Sequence, residues 1–527
     1  MINRRKFLRA AGAAGAMASA LPTMIDSVGV RAIAGGDPRL NQILEAQDRI
    51  LIMIQLAGGN DGLNTVIPIN DPLYYERRPT ISIPKRNTLR INDSLGWHPA
   101  LTGFRGLYDN GQLAVVQGVT YPNPDRSHFR GTDIWLTATD ADVYGSTGWV
   151  GRYLQTLAPS YPTELPAHPL AVQIGTSTSL GLLGSSGPMG ISFRDPDEFY
   201  RLVNGGSADG EVPSSEQTDT PAGREVAFMR NIARSSDIYA NVIKQANDKA
   251  SAVTVTYPAT DLGAKLKVVS QLINGGLSSR IYLLSFAGNN FDTHANQTLT
   301  SDPTLGQHAA LLAEVGDAVA AFMADMKNRG QADRISGMTF SEFGRRVAEN
   351  GSVGTDHGTA APLFVFGSQV LGNVYGKNPD LTDLDPIGDL TMQYDYRDVY
   401  ASVLLQWFSL PQTKAQELLF ADFSKSAPQI FKGAPSDVSD EQRPSTSFLH
   451  VGPNPASDVL VVRVNIREHA DATLELTDMV GSRLASVRVD SWTGVATIPV
   501  NMLPVGQYVL TIQNGRAVGH TFVQISR

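Results

Sequence analysis

Apolar residues run almost unbroken from Ile50 to Leu56, a length and continuity that predict a strand buried on both faces. Runs from Leu113 to Val119, Ile281 to Phe286, Ile335 to Phe340 and Leu363 to Phe366 predict further strands of this kind. His308, Leu311, Leu312, Val315, Val319, Phe322, Met323 and Met326 recur at helical spacing, and Asp261 to Ile273 predicts a second helix ahead of the Ile281 strand. Helical spacing also resumes at Phe129, Ile134 and Trp135, and Asp395 with Asp398 reads as a cap pair for Val399 to Phe408. Strand and helix alternating over residues 49–433 predict an α/β sheet with helices on both faces, whose ligands bind beyond the C-terminal strand ends. Residues 204–222, rich in Gly, Ser, Asp, Glu and Pro, read as a surface loop.

The pattern changes near the C-terminus. A polar linker at 434–447 precedes short alternating runs: Val459 to Ile466, Ala472 to Met479, Arg483 to Asp490, Val495 to Val500, Gln507 to Gln513 and His520 to Ile525. In Thr473-Leu474-Glu475-Leu476-Thr477 every second residue is apolar, the mark of a half-buried strand, so residues 448–527 predict a small all-β sandwich. At the other end, Asn3-Arg4-Arg5-Lys6-Phe7-Leu8-Arg9 leads into an Ala/Gly-rich stretch too short and weakly apolar to span a bilayer. Residues 1–34 therefore read as a signal peptide and leader, and no transmembrane span is expected.

Composition narrows the function. The 527 residues are 42% hydrophobic and 18% charged, enough for a large packed domain plus a second one. The net charge is −8, and removal of a leader holding Arg4, Arg5, Lys6 and Arg9 makes the mature chain more acidic still, which argues against a nucleic-acid partner. Cysteine is absent, excluding disulfides, thiolate metal ligands and a cysteine nucleophile.

Candidate chemistry gathers where strands end. Phe291-Asp292-Thr293-His294 follows the Ile281 strand, Ser341-Glu342-Phe343-Gly344-Arg345 follows the Ile335 strand, and Thr355-Asp356-His357-Gly358 precedes the Leu363 strand. Carboxylates supply charge and hard oxygen, and neutral imidazoles supply borderline nitrogen. Asp292, His294, Glu342, Asp356 and His357 are therefore candidate ligands for one or two divalent ions (zinc, calcium, magnesium or manganese). Asp61, in Gly58-Gly59-Asn60-Asp61-Gly62 after the first strand, reads as a ligand or as a turn or cap residue. Ser127 sits at a strand-to-helix turn, where it reads as a nucleophile or as a plain N-cap. His128 beside it is a candidate proton carrier or anion contact, or packs, and Arg126 and Arg345 are candidate anion clamps. His308, on the apolar face of its helix, reads as a core histidine or as one that a helix near the site presents inward, and His98 reads as structural.

These motifs carry resemblances. The twin arginines with Phe7-Leu8 resemble a twin-arginine export signal, with Asn3 where Ser or Thr is usual. Pro453-Asn454-Pro455-Ala456-Ser457-Asp458, Asp478-Met479-Val480-Gly481 and Leu503-Pro504-Val505-Gly506-Gln507-Tyr508 resemble the type A sorting domain of type IX secretion. Together these imply use of export machinery at both termini, with the periplasm as a transit compartment and the cell surface or medium as destination. The central motifs from Leu56-Ala57-Gly58-Gly59-Asn60-Asp61-Gly62 to Gly354-Thr355-Asp356-His357-Gly358 resemble the domain of unknown function 1501 family, which looks in turn like a distant alkaline phosphatase and sulfatase branch. That likeness implies an alkaline-phosphatase-like sheet, Ser127 as nucleophile, and metal held by Asp61, Asp292, His294, Glu342 and His357. The superfamily's Asp-His dipeptide is Glu342-Phe343 here, so an imidazole is missing and one metal site is altered.

The expectation is an exported metal-dependent hydrolase of phosphate or sulfate esters, acting on a small-molecule or glycan ester. A noncatalytic surface protein binding glycan or envelope on a hydrolase scaffold, and a metal-dependent phosphotransferase, are the alternatives.

Overall fold

The computed structural model describes residues 48–205, 221–286, 290–432, 449–452, 456–464, 472–478, 482–488, 495–514 and 517–526. The expected leader 1–34, the linker 434–447, most of the 204–222 loop, and the motif residues 453–455 and 479–481 lie outside them. The chain divides into two units, one spanning Gln42–Ala434 and the other including Pro435–Arg527.

The first unit is built on a nine-stranded mixed sheet. Its strands are β1 (Ile50–Gln55), β2 (Leu113–Thr120), β3 (Ala171–Ile174), β4 (Ile191–Phe193), β5 (Ile281–Ser285), β6 (Ile335–Phe340), β7 (Ala361–Gly367), β8 (Val374–Tyr375) and β9 (Tyr394–Asp395). They lie in the order β8-β2-β7-β6-β1-β5-β3-β4, with β9 also on the edge of β2. β1 pairs parallel with β5 and β6, while β7 runs antiparallel to β6 and β2. The five strands expected from apolar runs are all present; β3, β4, β8 and β9 are additional, and two to four residues are too few to show a period.

Side-chain alternation along β1 divides the core. Ile50, Ile52 and Ile54 pack under α5 (Asp261–Asn274), through Leu266 and Val269, and α6 (Gln307–Asn328), through Leu312, Val315 and Phe322. Leu51 and Met53 face the opposite layer, where α2 (His128–Thr137) supplies Ile134 and Trp135, α3 (Trp149–Leu157) supplies Trp149, and α7 (Tyr396–Ser402) supplies Tyr400. α1 (Thr102–Asp109) and α4 (Pro221–Lys249) join the β1-isoleucine side through Phe104 and Ile243. The expected sheet covered on both faces is what forms. Asp395 and Asp398 close a capping box at the start of α7, as their spacing predicts.

The second unit contains a three-stranded sheet, Leu449–Gly452, Val459–Val464 and Val495–Pro499, and a four-stranded sheet, Arg483–Arg488, Ala472–Thr477, Gly506–Asn514 and Ala517–Ile525. Leu460, Val462 and Ile498 of one meet Leu474, Leu476, Leu510 and Val523 of the other in one core, which makes a small sandwich. Leu449–Gly452 is a strand that the alternation did not announce.

Candidate metal centre

Four loops meet at the C-terminal edge of β1. Leu56–Asp61 follows β1, Tyr121–Ser127 follows β2, Phe291–His294 follows β5, and Ser341–Arg345 follows β6. The antiparallel direction of β7 delivers a fifth segment: it starts where β6 ends, so Thr355–Thr359 arrives at the same edge from outside. Gly58 and Gly59 let these loops close on each other. Both have positive φ, and a Cβ on Gly58 would stand 2.3 Å from the Asp292 amide nitrogen, one on Gly59 2.5 Å from the Phe343 ring.

The segments bring together His128, Asp292 and His357, whose ligating atoms all lie within 4.8 Å of one another, with His294 beside them. Asp292 Oδ1 is 3.0 Å from His294 Nε2 and 3.1 Å from His357 Nε2, and Asp292 Oδ2 is 3.4 Å from His128 Nε2. The two Nε2 atoms of His294 and His357 approach to 2.8 Å. Phe343 forms one wall, its ring 4.4 Å from that of His357 and 4.9 Å from that of His128. His294 is the open side, with 43% of its side chain exposed.

Each imidazole is held from behind through its other nitrogen. His128 Nδ1 meets Glu342 Oε1 at 2.8 Å, His294 Nδ1 meets Asp356 Oδ1 at 3.1 Å, and His357 Nδ1 meets the Arg126 carbonyl at 2.9 Å. An Nδ1–H donated to oxygen leaves Nε2 as a lone pair. Three such lone pairs and a carboxylate then face one another with no donor among them, an arrangement that a divalent cation satisfies. An imidazolium at His128 would also satisfy it; at His357 burial pulls the pKa down, against the charged form. The hydrogen bond to Glu342 raises that of His128, which makes its nitrogen more basic. Burial alone would raise the Asp292 carboxyl, but the Arg345 guanidinium, which donates to Asp292 Oδ1, leads the contributions that outweigh it and keep Asp292 an anion.

The remaining expected site residues are placed otherwise. Asp61 is not among the converging ligand atoms: its carboxylate pairs with Arg78 Nη1 at 2.9 and 2.7 Å, takes Gln297 Nε2 at 2.6 Å, and both ion-pair side chains are 0% exposed. Asp61 thus ties the first loop to Arg78, which also bonds the carbonyls of Arg346 and Val347. Arg78→Met is expected to lower unfolding free energy by about 3–5 kcal/mol, because it strands a buried carboxylate; a urea melt reads this, and a wild-type midpoint would refute it. Glu342, 1% exposed, accepts from Gly58 N and His128 Nδ1, so it stands behind an imidazole. Asp356 likewise stands behind His294.

Neither arginine is free to clamp an anion. The Arg345 side chain is buried, donates to the carbonyls of Gly58, Gly59, Phe291 and Thr355, and reaches Asp292 Oδ1 at 2.7 Å. Arg126 is paired with Asp389 and Asp385. Ser127 is the N-cap of α2, its Oγ accepting from Arg130 N at 3.5 Å, the plainer of its two readings. His128, expected as a proton carrier or anion contact, moves into the ligand group. Sequence reasoning missed Arg78, Gln297 and the wall formed by Phe343; an arginine or glutamine becomes structural only through partners far along the chain. His308 is buried in the core, 3.0 Å from Asn60 Oδ1, and His98 is buried beside it, as expected.

Residues 267–413 match the family model described as Protein of unknown function (DUF1501), a span that takes in Asp292, His294, Glu342, Arg345 and His357. Residues 450–525 match the model of the Secretion system C-terminal sorting domain. No curated protein matches. Among solved structures, a sulfatase from Pseudoalteromonas sp. is 11% identical, covering 91% of this chain and 88% of its own, with a TM-score of 0.33. An alkaline phosphatase superfamily protein from Vibrio parahaemolyticus is 9% identical over 100% of this chain and 92% of its own, TM-score 0.30. A phosphonate monoester hydrolase from Silicibacter pomeroyi is 11% identical over 84% and 89%, TM-score 0.30. The chain carries a DUF1501 segment followed by a sorting segment that directs export to the cell surface or the extracellular space. No helix among the described residues is long and apolar enough to cross a membrane.

Proposed function

We propose that this exported protein is a metal-dependent hydrolase of phosphate or sulfate esters with a single divalent ion held by His128, His294, His357 and Asp292. The observation that supports this most is the set of imidazoles anchored at Nδ1, with every Nε2 turned toward one carboxylate. Three nitrogens and one oxygen suit zinc or another first-row divalent metal, whereas calcium and magnesium favour shells of oxygen. A cation there would act as a Lewis acid, activating water and neutralising the ester anion.

The chain's own groups do the rest. The N-terminus of α2 begins at His128, so its free amides face an anion arriving beside that residue. Ser127, exposed and next in sequence to a ligand, offers a hydroxyl there, while Phe343 keeps water from one side. With both arginines committed inward, charge on the transferred group is left to the metal and to α2. Metal analysis of the pure chain alongside a panel of aryl phosphate and sulfate esters tests this, with Ser127→Ala as a companion. Stoichiometric metal and turnover abolished by chelator are expected; a metal-free protein without turnover removes the reading.

The noncatalytic alternative gains from the same inward-turned arginines and from Phe343 standing in place of an imidazole. It predicts metal without turnover on any ester. The supporting carboxylate gives a separate check: Glu342→Gln is expected to weaken metal binding about 10- to 100-fold in chelator competition. Acidification should also weaken it, because ligating imidazoles must be neutral. At His128, whose pKa the Glu342 hydrogen bond raises, protons compete with the metal, so metal affinity should fall as pH drops through the imidazole range.

A further inference from the structure

We propose that Asn350 is the positioning residue that turns His294 Nε2 toward Asp292 in the candidate centre, a role that rests on the metal reading and extends it to a side chain outside the ligand set. His294 is the ligand candidate least held by its own surroundings. His128, Asp292 and His357 converge without it. Its side chain is 43% exposed, against 18% for His128 and 22% for His357. The supports differ in the same direction. Glu342 behind His128 is buried, and the group behind His357 is a backbone carbonyl, whereas Asp356 behind His294 has 54% of its side chain exposed. An exposed carboxylate on a free side chain holds a ring weakly, because it loses rotamer entropy and water competes for it.

Asn350 removes that freedom. Its Nδ2 donates to Asp356 Oδ1 at 3.0 Å, the same oxygen that meets His294 Nδ1, and to the His294 carbonyl at 2.9 Å. A primary amide has two N–H donors, and both are used. One amide therefore fixes the main chain of the ligand and the carboxylate that orients its ring. The amide is itself fixed: Asn350 Oδ1 accepts from Ser352 N at 2.9 Å, and Asn350 N donates to the Gly354 carbonyl at 2.9 Å. Around it the two loops are laced main chain to main chain. Asn296 N donates to the Ser352 carbonyl, Gln297 N to the Val353 carbonyl and Thr355 N to the Thr293 carbonyl. A Cβ on Gly354 would stand 2.4 Å from the His294 carbonyl oxygen. Val353 has a φ of 57°, a conformation that a β-branched residue keeps only where its surroundings impose it. The turn thus has a fixed shape, and Asn350 is the side chain through which it grips both His294 and Asp356.

The test reads the full chain in two ways. In the first, the chain is chelated and its histidines carry 15N, so that metal plays no part. The His294 ring, identified by its loss in His294→Ala, is expected in the parent as the Nδ1–H tautomer. Asn350→Asp keeps the acceptor for Ser352 N, loses both donations and sets a second carboxylate beside Asp356; Asn350→Ala loses all three side-chain bonds. Both should move the His294 ring out of the single Nδ1–H state and leave that of His128 unmoved. A parent ring already in mixed states, or one unchanged in both variants, overturns the proposal. In the second, zinc affinity is measured by chelator competition. Each variant is expected to bind about 10- to 100-fold more weakly than the parent. In a His294→Ala background Asn350→Ala should weaken zinc no further, because it acts through that ring. A further loss there overturns the positioning role in favour of a general structural one. A parent chain that binds no zinc removes the metal reading, and the 15N spectra still decide whether Asn350 sets the His294 ring.

Discussion

His357→Ala chain, purified without chelator, is expected to retain less than about a tenth of the divalent metal carried by the parent. His357 is the hub of the cluster: its Nε2 lies 3.1 Å from Asp292 and 2.8 Å from His294 Nε2, and its ring meets those of His128 and Phe343. Alanine removes a nitrogen donor and leaves the Arg126 carbonyl without its imidazole. Asp292→Asn should behave similarly, because it removes the one charge in the ligand set. Ser127→Ala, by contrast, alters a helix cap and should keep its metal. Elemental analysis by mass spectrometry settles the comparison, and parental metal content in both His357→Ala and Asp292→Asn would dispose of the proposed centre. Zinc uptake followed by calorimetry should agree in rank.

Arg345→Met is expected to lower unfolding free energy by about 3–5 kcal/mol. Its guanidinium serves the carbonyls of Gly58, Gly59, Phe291 and Thr355 together with Asp292, so a single side chain ties three loops. Methionine fills much of the volume but leaves buried acceptors without donors, each of which costs about 1–3 kcal/mol when it finds no replacement. Relaxation of the loops reduces the sum, hence the lower expected total. A substrate clamp would behave differently: the variant would fold as the parent does and lose only affinity for the anion. Denaturation in urea, followed by fluorescence, separates the two outcomes, and an unchanged midpoint would rule out the structural role.

The two arginines show where reading a sequence stops. Arg126 and Arg345 flank the right motifs and have the right chemistry for an anion, yet each is held in an ion pair with a carboxylate more than fifty positions away. Asp61 is drawn out of the converging group by a partner too: Arg78 lies seventeen residues on, in a segment with no pattern pointing back to the first loop. His128 shows the reverse. Its place after an apolar strand marked it as a candidate, but its position among the candidate ligands depends on Glu342, 214 residues later, holding its ring.

What the chain determines locally is the set of elements. Unbroken apolar runs fix buried strands, helical spacing fixes α5 and α6, Asp395 and Asp398 fix a cap, and alternation fixes most of the terminal strands; each depends on neighbours a few residues apart. It also determines which residues stand at strand ends, because those ends are where apolar runs stop. The tertiary structure decided which of these residues converge. That choice turns on β7 running against β6, on the glycines that let loops touch, and on which charges find a buried partner. All three are contacts between segments tens to hundreds of residues apart, and no period or spacing along the chain encodes them.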